Sequence, residues 1–304
     1  MTETTLEVQR STFAWRQYLE LCKPKVVLLI VFTAIVGMLL SSPNMVPLHT
    51  LVFASLGIGL AAASGAAVNH WVDQKIDSAM ERTQGRPLPT GGLSSRSALV
   101  FALSLCVLSM VILLASTNVL TAILTFICVI GYAVIYTMFL KRTTPQNIIW
   151  GGAAGAAPPL LGWAAMTGEV NSEALLLFLI IFIWTPPHFW ALAIRRRDDY
   201  AKVDIPMLPV THGIPFTKVQ VLLYTFMLFA VTLIPFAINM SGMIYLAGAV
   251  ALGLGFIYHA FKLYRSNNDE HAMKTFGYSI FYLTMLFGFL LADHYIRIAI
   301  RVWA

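Results

Sequence analysis

The chain has 304 residues, 58% of them hydrophobic and 11% charged, and a formal net charge of +6. Soluble domains carry about 25% charged residues, so a water-soluble globule is excluded and an integral membrane protein is expected. The basic excess does not point to nucleic acid, because Lys and Arg stand at the ends of apolar runs, where membrane topology and anionic lipid account for them.

Crossing a bilayer as a helix takes about 20 apolar residues. Nine such runs are read in chain order: 25–41, 48–69, 97–116, 119–140, 147–166, 173–194, 217–238, 242–262 and 275–297. Stretches such as VVLLIVFTAIVGMLL are apolar on every face and lack the alternation of a membrane β-barrel. An all-α, polytopic membrane protein with a single domain over 1–304 is therefore expected. Residues 1–20 read as a polar cytoplasmic tail, with an interfacial helix around FAWRQYLEL. The first run lacks a small-residue cleavage site and is expected to stay as a membrane helix. With the N-terminus inside, every Lys and Arg except Arg297 and Arg301 falls on a cytoplasmic segment, which also sets the C-terminus outside. No organelle presequence is read, so a bacterial inner membrane is the expected location. Cys22, Cys106 and Cys128 show no Cys-x-x-Cys spacing and read as reduced packing residues.

Two cytoplasmic loops are long and polar. The first runs from Asn69 to about Arg96, and the second, RRRDDYAKVDIPMLPVTHGIPFTK, from Arg195 to Lys218. They lie four spans apart, and each opens on acids followed by a Pro-containing stretch, which suggests a weak internal duplication. In NHWVDQKID, Asn69, Asp73 and Asp77 are spaced four and four, so on a helix they share one face. Carboxylates at that spacing repel unless something offsets them. Mg2+ does so, taking one or two carboxylates and completing its shell with phosphate and water. Asp198, Asp199 and Asp204 can hold a second metal if the loops meet. Lys75, Arg82, Arg86, Lys141, Arg142 and Arg195 to Arg197 supply cations at the same membrane level. Acids for metal and cations for phosphate oxygens match a diphosphate. A solvated loop is the plain alternative. A cation-coupled transporter would place its acids near the bilayer midplane instead.

NHWVDQKID resembles the signature of the UbiA superfamily of intramembrane prenyltransferases. LCKPKVV, ERTQGRPLPTG, YTMFLKRTTPQNIIWGGAAGAAPPLLGW, WTPPHFWALAI and DDYAKVDIPMLPV are similar to one branch of it, the haem O synthases, which farnesylate protohaem IX. The likeness runs from Tyr18 to Tyr295. It implies nine helices around a central cavity, Mg2+ as cofactor, farnesyl diphosphate as donor and haem B as acceptor. A sister enzyme using an aromatic quinone precursor or another tetrapyrrole is the nearest rival. Asn69, Asp73, Asp77 and Asp199 take the metal and diphosphate motifs by position, and Arg82 and Arg86 the phosphate. The second loop departs from a regular Asp-x-x-x-Asp: Asp199 and Asp204 are five apart, with Asp198 as an accessory.

His188, in WTPPHFW, is an intramembrane histidine and thus a functional candidate, expected as an axial ligand or contact of haem iron; its structural alternative is a bond to a carbonyl freed by Pro186 or Pro187. Asn147 is placed to reach the diphosphate, and Tyr136 to line the cavity beside an allylic cation. Gly151 and Gly155 read as a Gly-x-x-x-Gly helix contact. His70 is expected to turn off the acidic stripe, and His212, His259, His271 and His294 to be solvated. A downstream haem A synthase or terminal oxidase assembly is the expected recipient.

Overall fold

The computed structural model describes residues 15–43, 45–266 and 269–303, with backbone alone at 302 and 303. The reading of residues 1–20 as a tail therefore lies mostly outside the described residues. Every element among them is helical.

Helix α1 (Trp15–Leu21) meets α2 (Pro24–Leu40) at 54°. Lys23 makes the corner in a left-handed conformation at φ 50°, and Pro24, having no N–H to leave unpaired, opens α2. Next, α3 (Leu48–Val72) reaches Asp73 and passes into the short α4 (Gln74–Ala79). Ser94 caps α5 (Ser95–Ser116), accepting the Ser97 N–H at 3.0 Å, and Asn118 caps α6 (Val119–Ile130) through the Thr121 N–H at 2.9 Å. From α6 the chain runs without a break through a π-helical stretch, Gly131–Leu140, into α7 (Lys141–Thr143). The wider turn brings the Thr137 hydroxyl onto the Tyr132 carbonyl, five residues back, at 2.8 Å.

The run expected at 147–166 is two ten-residue helices, α8 (Asn147–Ala156) and α9 (Pro158–Thr167). Pro158 and Pro159 donate no hydrogen bond to the turn before them and take the first two positions of α9, where none is needed. Helix α9 packs against α2 at backbone distance: a Cβ on Gly37 would collide with the Pro159 carbonyl, and one on Gly162 with the Ala34 carbonyl. The remaining elements are α10 (Ser172–Arg195), α11 (Arg197–Ala201), α12 (Leu208–Thr211), α13 (Gly213–Val231), α14 (Ile234–Ala237), α15 (Met243–Arg265) and α16 (Glu270–Trp303).

Seven of the described helical segments are long and apolar enough to cross a bilayer, and the bent α1–α2 pair makes an eighth. The chain is a multi-pass membrane protein. Helix α10 is its axis, with 67% of its apolar window buried against 22% for α5, whose Leu103, Val107, Val111 and Leu114 are exposed as a lipid face. One apolar core joins residues of α2, α9, α10, α13, α15 and α16. A second, smaller core lies where the two long loops leave the bundle. At the opposite end, the buried Asp293 of α16 accepts the Gly242 and Tyr245 N–H groups at 2.5 and 3.2 Å, capping α15 from a neighbouring helix. The three cysteines are free and half-buried.

Candidate active site at the loop end of the bundle

The junction of α3 and α4 does not break the helical path. The Asp73 N–H bonds the Asn69 carbonyl at 3.0 Å and the Asp77 N–H bonds the Asp73 carbonyl at 2.8 Å, so Asn69, Asp73 and Asp77 keep one face. All three are buried, at 6%, 1% and 4% exposure. Burying two carboxylates is costly unless each is matched, and each is. Asn69 Nδ2 donates to Asp73 Oδ2 at 2.9 Å, and the Lys141 ammonium bonds the same oxygen. The Arg142 guanidinium lies 3.8 Å from Asp73 Oδ1, and Arg86 donates to Asp77 Oδ2 at 2.7 Å. Lys23, at the corner between α1 and α2, donates to Asn69 Oδ1 at 2.7 Å. Nothing in LCKPKVV marks Lys23 as a partner of Asn69; the corner that turns it inward is visible only in the fold. Lys75 and Arg82 are exposed and form no ion pair among the described residues.

In the second loop Asp199 is largely covered and lies 3.6 Å from Arg196, whereas Asp198 is exposed and lies 3.7 Å from Arg197. Asp204 is exposed, in a left-handed turn at φ 53°. The two loops do meet. Ile76 of α4 packs in one apolar cluster with Tyr200, Ile205, Met207, Leu208 and the end of α10. Burial raises the Tyr200 phenol above its ordinary pKa, opposed by Arg82 and Arg86 of the first loop and Arg196 of the second, with Asp199 adding to the rise.

Several buried polar atoms here have no hydrogen-bond partner: Asp73 Oδ1, Asn147 Oδ1 and both ring nitrogens of His70. Asn147 is fully buried, and its amide donates to the Lys141 carbonyl at 3.2 Å. Orphaned polar atoms in a dry place are the mark of a missing partner. No three His, Cys, Asp or Glu side chains among the described residues converge as a ready-made metal cage. Mg2+ does not need one, since it is held by one or two carboxylates together with phosphate and water. The buried stripe of Asn69, Asp73 and Asp77, with one Asp73 oxygen that accepts no hydrogen bond and faces only the Arg142 guanidinium at 3.8 Å, fits that kind of ion.

Tyr136 stacks on Tyr132 at 5.5 Å and rests where Gly151 has no side chain. Gly152, not Gly155, presses on α10, at Thr185; Gly155 has no neighbour within 4 Å of a would-be Cβ. Adjacent glycines face two elements because successive helical residues lie about 100° apart, which replaces the expected Gly-x-x-x-Gly contact. His188 is buried in α10 and bonds the Ser279 hydroxyl of α16 rather than a freed carbonyl. Of the histidines expected in solvent, His212 is exposed, but His259, His271 and His294 are half-buried; His259 stacks on Tyr278, and His294 lies 3.2 Å from the Ser42 carbonyl. Two clefts open at this level. One of about 410 Å3 is bordered by Trp71, Gln74, Met138 and Arg142 beside the acidic stripe. A larger one of about 1190 Å3, lined by Arg195, Phe216, Lys218, Tyr264, Asp269 and Glu270, lies away from it.

A bundle of membrane helices that gathers buried carboxylates and cations at one end defines an integral membrane protein with a charged, dry site. The chain belongs to the UbiA prenyltransferase family, whose model matches residues 30–288. It is 67% identical over 284 residues, 93% of this chain and 94% of the relative, to a protein of Thioalkalivibrio sulfidiphilus named protoheme IX farnesyltransferase. In fold it is similar to a digeranylgeranylglyceryl phosphate synthase, with a TM-score of 0.78 at 20% identity, covering 92% of this chain and 98% of that one. It is also similar to a UbiA homologue from Archaeoglobus fulgidus bound to DMAPP and Mg2+, with a TM-score of 0.65 at 15% identity, covering 90% and 99%.

Proposed function

We propose that this protein transfers a farnesyl group from farnesyl diphosphate to a vinyl group of haem B, with addition of water, giving haem O and diphosphate. The likeness to protoheme IX farnesyltransferase over nearly the whole chain points to donor and acceptor. The observation that carries the chemistry is the buried pair Asp73 and Asp77, matched by Lys141, Arg142 and Arg86.

That matching explains how a dry site tolerates so many charges before substrate arrives. Carboxylates and cations hold one another. Asn69, Asp73, Asp77 and Asp199 would hold the metal that comes with diphosphate, with Asp198 and Asp204 as accessories. Lys141, Arg142 and Arg86 turn to phosphate oxygens, aided by Lys75, Arg82 and Asn147. Mg2+ supplies Lewis-acid withdrawal of charge from the leaving diphosphate. The residues around it hold the leaving group in a place where each charge counts for more than in water. The allylic C–O bond breaks, its electron pair leaves with diphosphate, and the terminal vinyl carbon bonds farnesyl C1. Water adds to the adjacent carbon and loses a proton. In this reading the Tyr136 ring faces the allylic cation, and His188 is the contact for the acceptor.

In this reading α8 and α9 together make one crossing, giving nine. The N-terminus and the site face the cytoplasm of a bacterial inner membrane, and the chain acts as a single domain. Haem O then passes to a haem A synthase or to terminal oxidase assembly. The test is incubation of the purified protein with haem B, farnesyl diphosphate and Mg2+, with and without chelator, followed by chromatography and mass spectrometry. The expected product is haem carrying one farnesyl and one hydroxyl, absent with chelator. A folded protein that binds farnesyl diphosphate yet leaves haem unchanged would move the acceptor to a quinone precursor or another tetrapyrrole.

A further inference from the structure

We infer that Ser279 fixes the tautomer of His188 so that Nε2 presents its lone pair to the haem iron, a positioning role that rests on haem being the acceptor. The geometry is set by two helices. Trp184 and His188 are one turn apart on α10, Phe276 and Ser279 one turn apart on α16. Trp184 Nε1–H donates to the Ser279 carbonyl at 2.8 Å, which pins the helices together at this level.

Ser279 has one hydroxyl proton, and it is directed to the Phe276 carbonyl at 2.6 Å. The same oxygen lies 2.6 Å from His188 Nδ1, so the proton in that second bond comes from the ring. The reverse arrangement would give up the Phe276 bond and move the ring proton to Nε2, which makes no hydrogen bond among the described residues. One arrangement makes two bonds and the other makes one, which decides for Nδ1–H and a bare Nε2.

The rest of the ring is shut off. Its faces stack with Trp184 at 4.2 Å and 18° and with Phe276 at 4.5 Å and 25°, and Phe189 meets it edge-on at 5.1 Å. A metal approaches imidazole in the ring plane along the lone pair, and Nε2 is the ring nitrogen left without a partner among the described residues. An apolar ring would pack here without the hydroxyl partner. A histidine with its far nitrogen bonded is the arrangement proteins use to aim a metal ligand. His188 lies two helical turns, about 10 Å, inside the end of α10 at Arg195, beneath the charged mouth.

The experiment reads iron coordination rather than turnover. Full-length protein in detergent is loaded with haem B alone, reduced, and examined by resonance Raman for the Fe–His stretching band, with haem and farnesyl diphosphate affinities measured alongside. In Ser279→Ala the band shifts and haem affinity falls about 10- to 100-fold, while farnesyl diphosphate affinity holds. Ser279→Thr keeps band and affinity, and Ser279→Val, of the same shape without the hydroxyl, repeats the loss; this pair carries the test if the alanine variant does not fold. In His188→Gly the band disappears and added imidazole restores it. An unchanged band and affinity in Ser279→Ala or Ser279→Val overturn the positioning role, and a band that persists in His188→Gly overturns ligation by His188. Wild-type protein that binds farnesyl diphosphate but no haem overturns the acceptor reading itself, a separate result.

Discussion

The two acidic loops carry the same residue types, yet they are different materials. Asp73 and Asp77 are almost wholly covered; Asp73 is held by Lys141 and Arg142 of α7, and Asp77 by Arg86, nine residues further along. Asp198 and Asp199 pair with arginines one and three residues away in their own loop, and Asp198 lies in solvent. A charge held by a distant partner in a dry place is positioned and strong, because the local dielectric is low and the fold fixes the geometry. A charge paired with its neighbour in water is worth little. The difference teaches that the first loop holds its charges in fixed geometry and the second does not, which in the proposed reading gives the chemistry to the first.

The comparison is broken most severely at its buried centre. Asp73→Asn should lower kcat by about 10³-fold, the scale of losing one preorganised electrostatic group, while circular dichroism stays that of the wild type. Retained turnover would remove Asp73 from the site. Arg86→Ala should lower kcat/KM about 100-fold and leave Asp77 without its ion pair. A twofold effect would mean that Arg86 only balances charge. Asp199→Asn, at the covered end of the second loop, is expected to cost about tenfold, with a raised Mg2+ requirement in a metal titration; no change in that titration would exclude Asp199 as a metal contact. Asp198→Asn and Asp204→Asn sharpen the contrast from the other side. Both should stay within about twofold of wild type, as exposed charges do, and a loss of 100-fold in either would show that the second loop closes over substrate.

The apolar crossings were legible because each must present about 20 apolar residues whatever its neighbours. The break between α8 and α9 was not, because hydropathy averages across Pro158 and Pro159, and a Pro pair does not by itself end a helix: α10 runs on through Pro186 and Pro187. The acidic stripe was legible for a local reason, the four-residue repeat of a helix face. Its partners were not: Lys23 reaches Asn69 from another helix, and Lys141 reaches Asp73 at the end of the π-helical stretch. His188 stood out as an intramembrane imidazole, but its partner Ser279 belongs to the last helix, and no spacing rule connects them.

Helix α9 has a consequence for how the molecule is made. Every residue from Pro158 to Ala165 is buried in protein, and ten residues of helix cover about 15 Å of a hydrocarbon layer about 30 Å thick. Such a segment has neither the length nor the outer surface to rest in lipid on its own. During synthesis α2, α3 and α6 are already present, but α10, a further wall of its slot, is not yet made. The segment must therefore wait at the insertion machinery, or lean on α2, α3 and α6, until α10 emerges. The second half of the bundle completes the first instead of being added to it, and a chain cut short after Thr167 should be handled by the cell as unfinished membrane protein.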